Sequence, residues 1–151
     1  MGNPFVHIEL AADDVGAAKQ FYSSIFDWKL QDSDMGGGMI YTMLGVGKGT
    51  GGGMMKKHMA QQPTAWLPYV EVADVNATLA KARSAGAQVV VERTEIGGGM
   101  GAFGVIVDPQ GAGLGLWEAK KAAPARKAAP KKAKKAAPKK TPAKKKKKGK
   151  R

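Results

Sequence analysis

Three observations predict an α+β fold made of two tandem β-α-β-β-β modules that share a concave mixed sheet. First, one strand–helix–strand unit is written twice: residues 5–30 read FVHIELAADDVGAAKQFYSSIFDWKL, and residues 66–92 read WLPYVEVADVNATLAKARSAGAQVVVE. Second, each unit has an Asp-Val pair at the head of its helix, Asp14-Val15 and Asp74-Val75. Third, glycine clusters at 36–38 and 97–99 punctuate the two halves at matching places.

Each element follows from local pattern. In the first strand Val6, Ile8 and Leu10 alternate with Phe5, His7 and Glu9, so one set faces a helix and the other a cavity. Asp14 suits a helix N-cap, and Val15, Ala18, Tyr22 and Ile25 follow helical spacing behind it. Strands are then expected at 28–31, 39–46 and 50–56, with 59–64 as the linker between modules. The second module opens with Pro68, Val70 and Val72 towards its helix and Leu67, Tyr69 and Glu71 towards the cavity. Asp74 caps a helix striped by Val75, Leu79 and Ala82, and Gly86 follows where a left-handed C-cap sits. Strands at 88–92, 102–107 and 112–118 complete the module. The body is thus one domain over residues 1–118, with modules at about 3–58 and 64–118.

The remaining residues, 119–151, are a different physical object. From Lys120 onwards 32 residues carry 17 Lys or Arg and no Asp or Glu. The whole chain has 25 basic and 12 acidic residues, so the body keeps 8 basic against 12 acidic, a charge of −4 beside a tail of +17. Between its cations the tail is Ala, Pro, Thr and Gly, with nothing to bury against the entropy of ordering, and it is expected to stay disordered and extended. Such a charge block seeks a polyanion, DNA above all, through phosphate contacts that are salt-sensitive and indifferent to sequence. The contacting residues are Lys120, Lys121, Arg126, Lys127, Lys131, Lys132, Lys134, Lys135, Lys139, Lys140, Lys144, Lys145, Lys146, Lys147, Lys148, Lys150 and Arg151. The KAAP and KKA units resemble the Lys/Ala/Pro-rich tails of linker histones and histone-like bacterial proteins.

Composition excludes some classes. With no cysteine, disulfides, thiolate metal sites and cysteine nucleophiles are ruled out. The opening MGNPFVHIEL lacks the pattern of a secretion signal, and no run of 18 apolar residues occurs, so a cytoplasmic, non-membrane protein is expected, with nucleoid association as the alternative setting its polycationic tail adds. GVGKGTGGG at 45–53 mimics a phosphate loop, but Lys48 is followed by Gly49 rather than Ser or Thr. It reads as a hairpin turn.

The duplicated β-α-β-β-β pattern, the Asp-Val helix starts and a late Asp-Pro-x-Gly turn (Asp108, Pro109, Gly111) resemble the vicinal oxygen chelate superfamily of glyoxalase I, bleomycin-resistance proteins and extradiol dioxygenases. The ending GAGLGLWE resembles a subgroup of small glyoxalase-like proteins. The resemblance implies homodimers and a divalent metal held by the first and fourth strands of each half, at positions that map to His7, Gly53, Leu67 and Gly115. Only His7 is able to ligate, and catalytic metal sites need about three protein ligands, so no metal or other cofactor is expected. The cavity side offers His7, Glu9, Tyr41, Met55, Leu67, Tyr69, Glu71, Phe103 and Trp117 as a mostly apolar pocket with few polar anchors. His7 and Glu9 are next neighbours on one face and are expected to touch; no catalytic residue is assigned. The expected function is small-molecule binding without metal. The alternatives are a glyoxalase-like lyase or dioxygenase with an unconventional metal site, or a nucleoid-associated DNA-binding protein.

Overall fold

The structure is a computed structural model, and it describes residues 2–120. Of the residues expected to contact DNA, Lys120 is among the described residues and those from Lys121 to Arg151 lie outside them. The described residues fall within one compact unit.

Eight strands and two helices alternate as the duplication predicts: β1 Phe5–Ala12, α1 Val15–Ile25, β2 Lys29–Asp34, β3 Ile40–Gly45, β4 Gly52–Lys56, β5 Ala65–Glu71, α2 Val75–Ser84, β6 Gln88–Ile96, β7 Gly101–Val107 and β8 Gly113–Glu118. They form a single sheet in the order β2-β3-β4-β1-β5-β8-β7-β6. In each half the first and fourth strands pair in parallel, β1 with β4 and β5 with β8, and the other pairs are antiparallel. The halves join where β1 and β5 run antiparallel, with Ile8 opposite Pro68, His7 opposite Tyr69 and Glu9 opposite Leu67. Ile8 and Pro68 stand sixty positions apart, as do the helix caps Asp14 and Asp74. The local two-fold between modules therefore passes through that pair and matches Glu9 with Tyr69.

Both caps behave as read. Asp14 and Asp74 each accept a backbone N–H three residues on, from Ala17 and Ala77, at 2.9 Å. Gly86 takes a left-handed conformation at φ 89°, closing α2 as a glycine does without strain.

The helices cover one face of the sheet, unequally. α2 buries Val75 and Leu79 fully against Val72, Ile106 and Leu116. Gly104 permits this approach, because a Cβ there would lie 3.1 Å from Val75 and 3.3 Å from Leu79. Glu118, at the end of β8, ties the helix down by accepting from the Val75 N–H at 2.9 Å. That bond, helped by Arg93, holds its carboxyl below the usual range. α1 buries no residue fully. Its core partners Leu10, Ala12, Leu44 and Met54 lie under Val15, Ala18 and Tyr22. The expected helix stripe stops there: Ile25 is 52% exposed, and an aromatic stack takes over instead. Tyr22, Phe26, Trp28 and Trp66 sit ring to ring at 4.6–6.3 Å, and Trp66 Nε1 donates to the Tyr22 hydroxyl at 3.0 Å.

Three strands, β2, β4 and β6, depart from the sequence expectation by two or more residues at one end. β2 starts after Trp28, whose ring is taken by that stack, and extends to Asp34. β4 starts at Gly52 rather than 50. β6 runs on to Ile96, because Thr94, Glu95 and Ile96 still find partners on β7 beyond two register shifts. Within the 45–53 glycine run, residues 46–51 are the loop joining antiparallel β3 and β4, and Gly52 and Gly53 open β4, so the run lies between two strands rather than at a helix start.

Candidate functional site

The face away from the helices carries the residues that strand alternation assigns to a cavity, and four of them close on one another. His7 and Glu9 stand two apart on β1, Tyr41 comes from β3, and Tyr69 from β5. The Tyr41 hydroxyl donates to Glu9 Oε2 at 3.0 Å and the Tyr69 hydroxyl donates to Glu9 Oε1 at 3.1 Å. His7 Nε2 lies 2.7 Å from the Tyr41 oxygen. Tyr41 has one hydrogen, committed to the carboxylate, so Nε2 carries a proton and donates to the phenol oxygen. His7 and Glu9 thus meet through Tyr41 rather than directly, which the sequence did not reveal.

Burial sets the protonation of this group. It lowers the His7 pKa, against the opposing pull of Glu9, so the imidazole is neutral at neutral pH. It raises both phenols far above their ordinary range, and the Glu9 charge and its hydrogen bonds add to the effect. Tyr41 and Tyr69 therefore stay protonated and act as donors.

The phenols reach Glu9 because two glycines leave room. A Cβ at Gly53 would lie 2.1–2.3 Å from the hydroxyl end of Tyr41, and one at Gly115 would lie 2.3–2.5 Å from the ring of Tyr69. Register explains it: Gly53 pairs with Glu9 across β1–β4, and Gly115 pairs with Tyr69 across β5–β8. Both glycines are positions mapped to metal ligands, and aromatic rings now occupy the space in front of them.

The other pocket candidates surround this centre. Phe103 meets Tyr69 edge-on at 6.5 Å, and Trp117 pairs with Phe103 on one side and Glu71 on the other. Met55 pairs with Tyr41, and Leu67 pairs with Glu9 and reaches towards Gly113. Among the described residues the Glu71 side chain makes no hydrogen bond to the Glu9 network; its backbone N–H instead donates to the Pro4 carbonyl. His58 is exposed, in the segment between β4 and β5. Sequence reasoning missed two clefts on the helix side. One of about 380 Å³ runs between α1 and the end of β1, and one of about 250 Å³ opens beside Trp28 and Trp66. The first is lined by Ala17, Ala18, Phe21 and Tyr22 of the loosely seated α1, the second by strand and loop residues around the two tryptophans, and spacing alone disclosed neither.

Residues 5–116 match the family model described as the Glyoxalase/Bleomycin resistance protein/Dioxygenase superfamily. The chain belongs to this superfamily. Among curated proteins, "Putative glyoxylase CFP32" of Mycobacterium bovis is 35% identical over 118 residues, covering 76% of this chain and 45% of that protein. The protein of the same name in Mycobacterium tuberculosis matches equally. The chain therefore spans less than half the length of the curated relatives it matches. Among solved structures, hypothetical protein BH1468 from Bacillus halodurans shares the fold at TM-score 0.61 and 16% identity, covering 82% of this chain and 99% of that one. Methylmalonyl-CoA epimerase from Mycobacterium tuberculosis does so at TM-score 0.55 and 20% identity, covering 80% and 88%. Both are likenesses of fold. No helix among the described residues is long and apolar enough to cross a membrane.

Proposed function

We propose that this superfamily member binds a small organic molecule on its concave face, without the family's divalent metal, and carries a sequence-indifferent DNA- or polyanion-binding tail. The observation that carries the first part is the pair of tyrosines lying over Gly53 and Gly115 and donating to Glu9. A metal at those positions needs about three donor side chains. Of the four mapped positions only His7 has one, and its Nε2 faces Tyr41. A phenol ligates as phenolate, and burial beside Glu9 opposes that ionisation at both tyrosines. Among the described residues no group of three His, Asp or Glu side chains gathers to hold an ion. What remains is a mostly apolar surface with a few convergent polar groups, the usual make-up of a small-molecule site.

The test is a fragment screen on the full chain, read by NMR at Trp117 and Met55. Shifts confined to concave-face residues, and lost in His7→Ala or Glu9→Gln, are expected. Binding that leaves these signals still and moves Trp28 or Trp66 instead would place the ligand in the helix-side clefts and contradict the reading.

A second reading, a glyoxalase-like lyase or dioxygenase with an unconventional metal site, draws support from the name of the 35%-identical relatives. Their greater length also bears on assembly: the chain covers 45% of them, so two copies amount to nearly one relative. A homodimer fits that ratio.

For the tail, removal of residues 120–151 is expected to abolish DNA binding and leave the domain's melting temperature unchanged. Between ~50 and ~200 mM salt the full chain should lose about 10³–10⁵ in affinity if six to ten phosphates are engaged. DNA affinity that survives the deletion, measured by anisotropy on unrelated duplexes, would assign the interaction to the domain. A nucleoid-associated cytoplasmic protein is the cellular setting this tail fits.

A further inference from the structure

The charge pattern of the concave face narrows the ligand class, and this step rests on the small-molecule reading above. We infer that the face selects an organic cation, an ammonium or amidinium group on an apolar body, seated at Glu9 against the aromatic side chains around it. Three features of the site carry the inference.

The first is the sign of its charge. The six central strands, β1, β3, β4, β5, β7 and β8, contain a single basic residue, Lys56. Lys56 alternates away from Met55 and pairs with Ala12, a residue of the helix-side core, so it faces the other way. Lys29 stands on the outermost strand β2, three strands from β1 and so roughly 14 Å away. Arg93 on β6 is held by Glu95 and Glu118. Glu9 and, two residues past Tyr69, Glu71 are therefore the formal charges on the central part of the face. The neutral imidazole of His7 adds none.

The second is the state of Glu9. A carboxylate offers about four acceptor sites, and Tyr41 and Tyr69 use two of them. The phenols fix its orientation while leaving it capacity and negative charge to meet a cation. Because Glu9 is only partly exposed, that charge is less screened than one in open water.

The third is the surrounding wall. Tyr69 stands beside Glu9, its ring meets Phe103 edge-on at 6.5 Å, Trp117 is the cross-strand neighbour of Phe103, and Tyr41 closes the other side. Aromatic faces attract cations through their quadrupoles, most strongly when solvent is excluded. An anionic ligand would meet two carboxylates and no basic partner. A neutral ligand would bury part of Glu9 without pairing it.

The test uses three soluble probes of matched shape with the full chain: choline, its uncharged isostere 3,3-dimethylbutan-1-ol, and the anion 3,3-dimethylbutanoate. Binding is followed at the Trp117 indole and the Met55 methyl, in about 150 mM salt where the tail's field is screened beyond ~8 Å. Choline is expected to bind at least about tenfold more tightly than the alcohol, and the anion not to perturb these signals. Glu9→Gln should remove that tenfold preference of choline over the alcohol. Should that variant fail to fold, Phe103→Leu serves: it keeps the carboxylate, and it should weaken choline more than the alcohol. An alcohol that binds as well as choline overturns the cation preference and leaves the small-molecule site standing. No shift from any probe, together with a fragment screen that moves nothing on this face, overturns both.

Discussion

Replacing Leu79 by Ala should cost about 2–5 kcal/mol of domain stability, the range for emptying a fully packed aliphatic site. Leu79 is 1% exposed and, with Val75, forms the centre of the α2 core. The surrounding glycine-tight packing leaves little freedom to collapse, since Gly104 has α2 pressed onto the sheet. Domains of this size hold only 5–15 kcal/mol in all, so the loss should be plain in a urea melt. The same truncation on α1 gives the contrast. Phe21 is 58% exposed, and Phe21→Ala should change stability by less than about 0.5 kcal/mol. Equal losses from the two helices would contradict the unequal seating of the modules.

Gly115→Ala is expected to be nearly as damaging, for a different reason. The new methyl would meet three atoms of the Tyr69 ring at 2.3–2.5 Å, closer than carbon atoms approach. Tyr69 is 7% exposed and bonded to Glu9, so moving it opens the core of the concave face and breaks a buried hydrogen bond. Overpacking of this kind costs about 1–3 kcal/mol. The explanation has a built-in control in the double variant Gly115→Ala with Tyr69→Leu, where the smaller side chain vacates the contested space. Its loss should fall well short of the sum of the two single losses, because the residues share one contact. Strict additivity would mean that Gly115 is glycine for some reason other than the tyrosine.

Much of this was legible beforehand. The Asp-Val pairs announced both helices, and strand alternation placed His7, Glu9, Tyr41 and Tyr69 on one face, because period two is a local property of a strand. What alternation leaves open is how far a side chain reaches and which neighbour it covers. That Tyr41 lies over Gly53, and Tyr69 over Gly115, depends on the register of β4 and β8 against their neighbours. Gly115 stands 46 residues after Tyr69, and register over that span is a tertiary fact; Tyr41 and Gly53 belong to one hairpin, whose register the glycine-rich loop leaves open. The α1 stripe misled for a similar reason. Ile25 has the right spacing to be buried, but Phe26 and Trp28 stack over the end of the helix and leave it outside. The late half of β6 hid behind the polar run Arg93-Thr94-Glu95, which reads as a loop until β7 is seen to pair with it.

The central proposal is that the tyrosines held by Glu9 fill the space in front of Gly53 and Gly115, two positions mapped to metal ligands, and leave the concave face without a metal site. Native mass spectrometry of the full chain, offered zinc, nickel, manganese and cobalt together and then buffer-exchanged, tests it most directly. The account predicts a protein mass free of bound metal, unchanged by Glu9→Gln. One metal per chain, lost in His7→Ala or Glu9→Gln, would contradict it and return the concave face to metal-assisted chemistry.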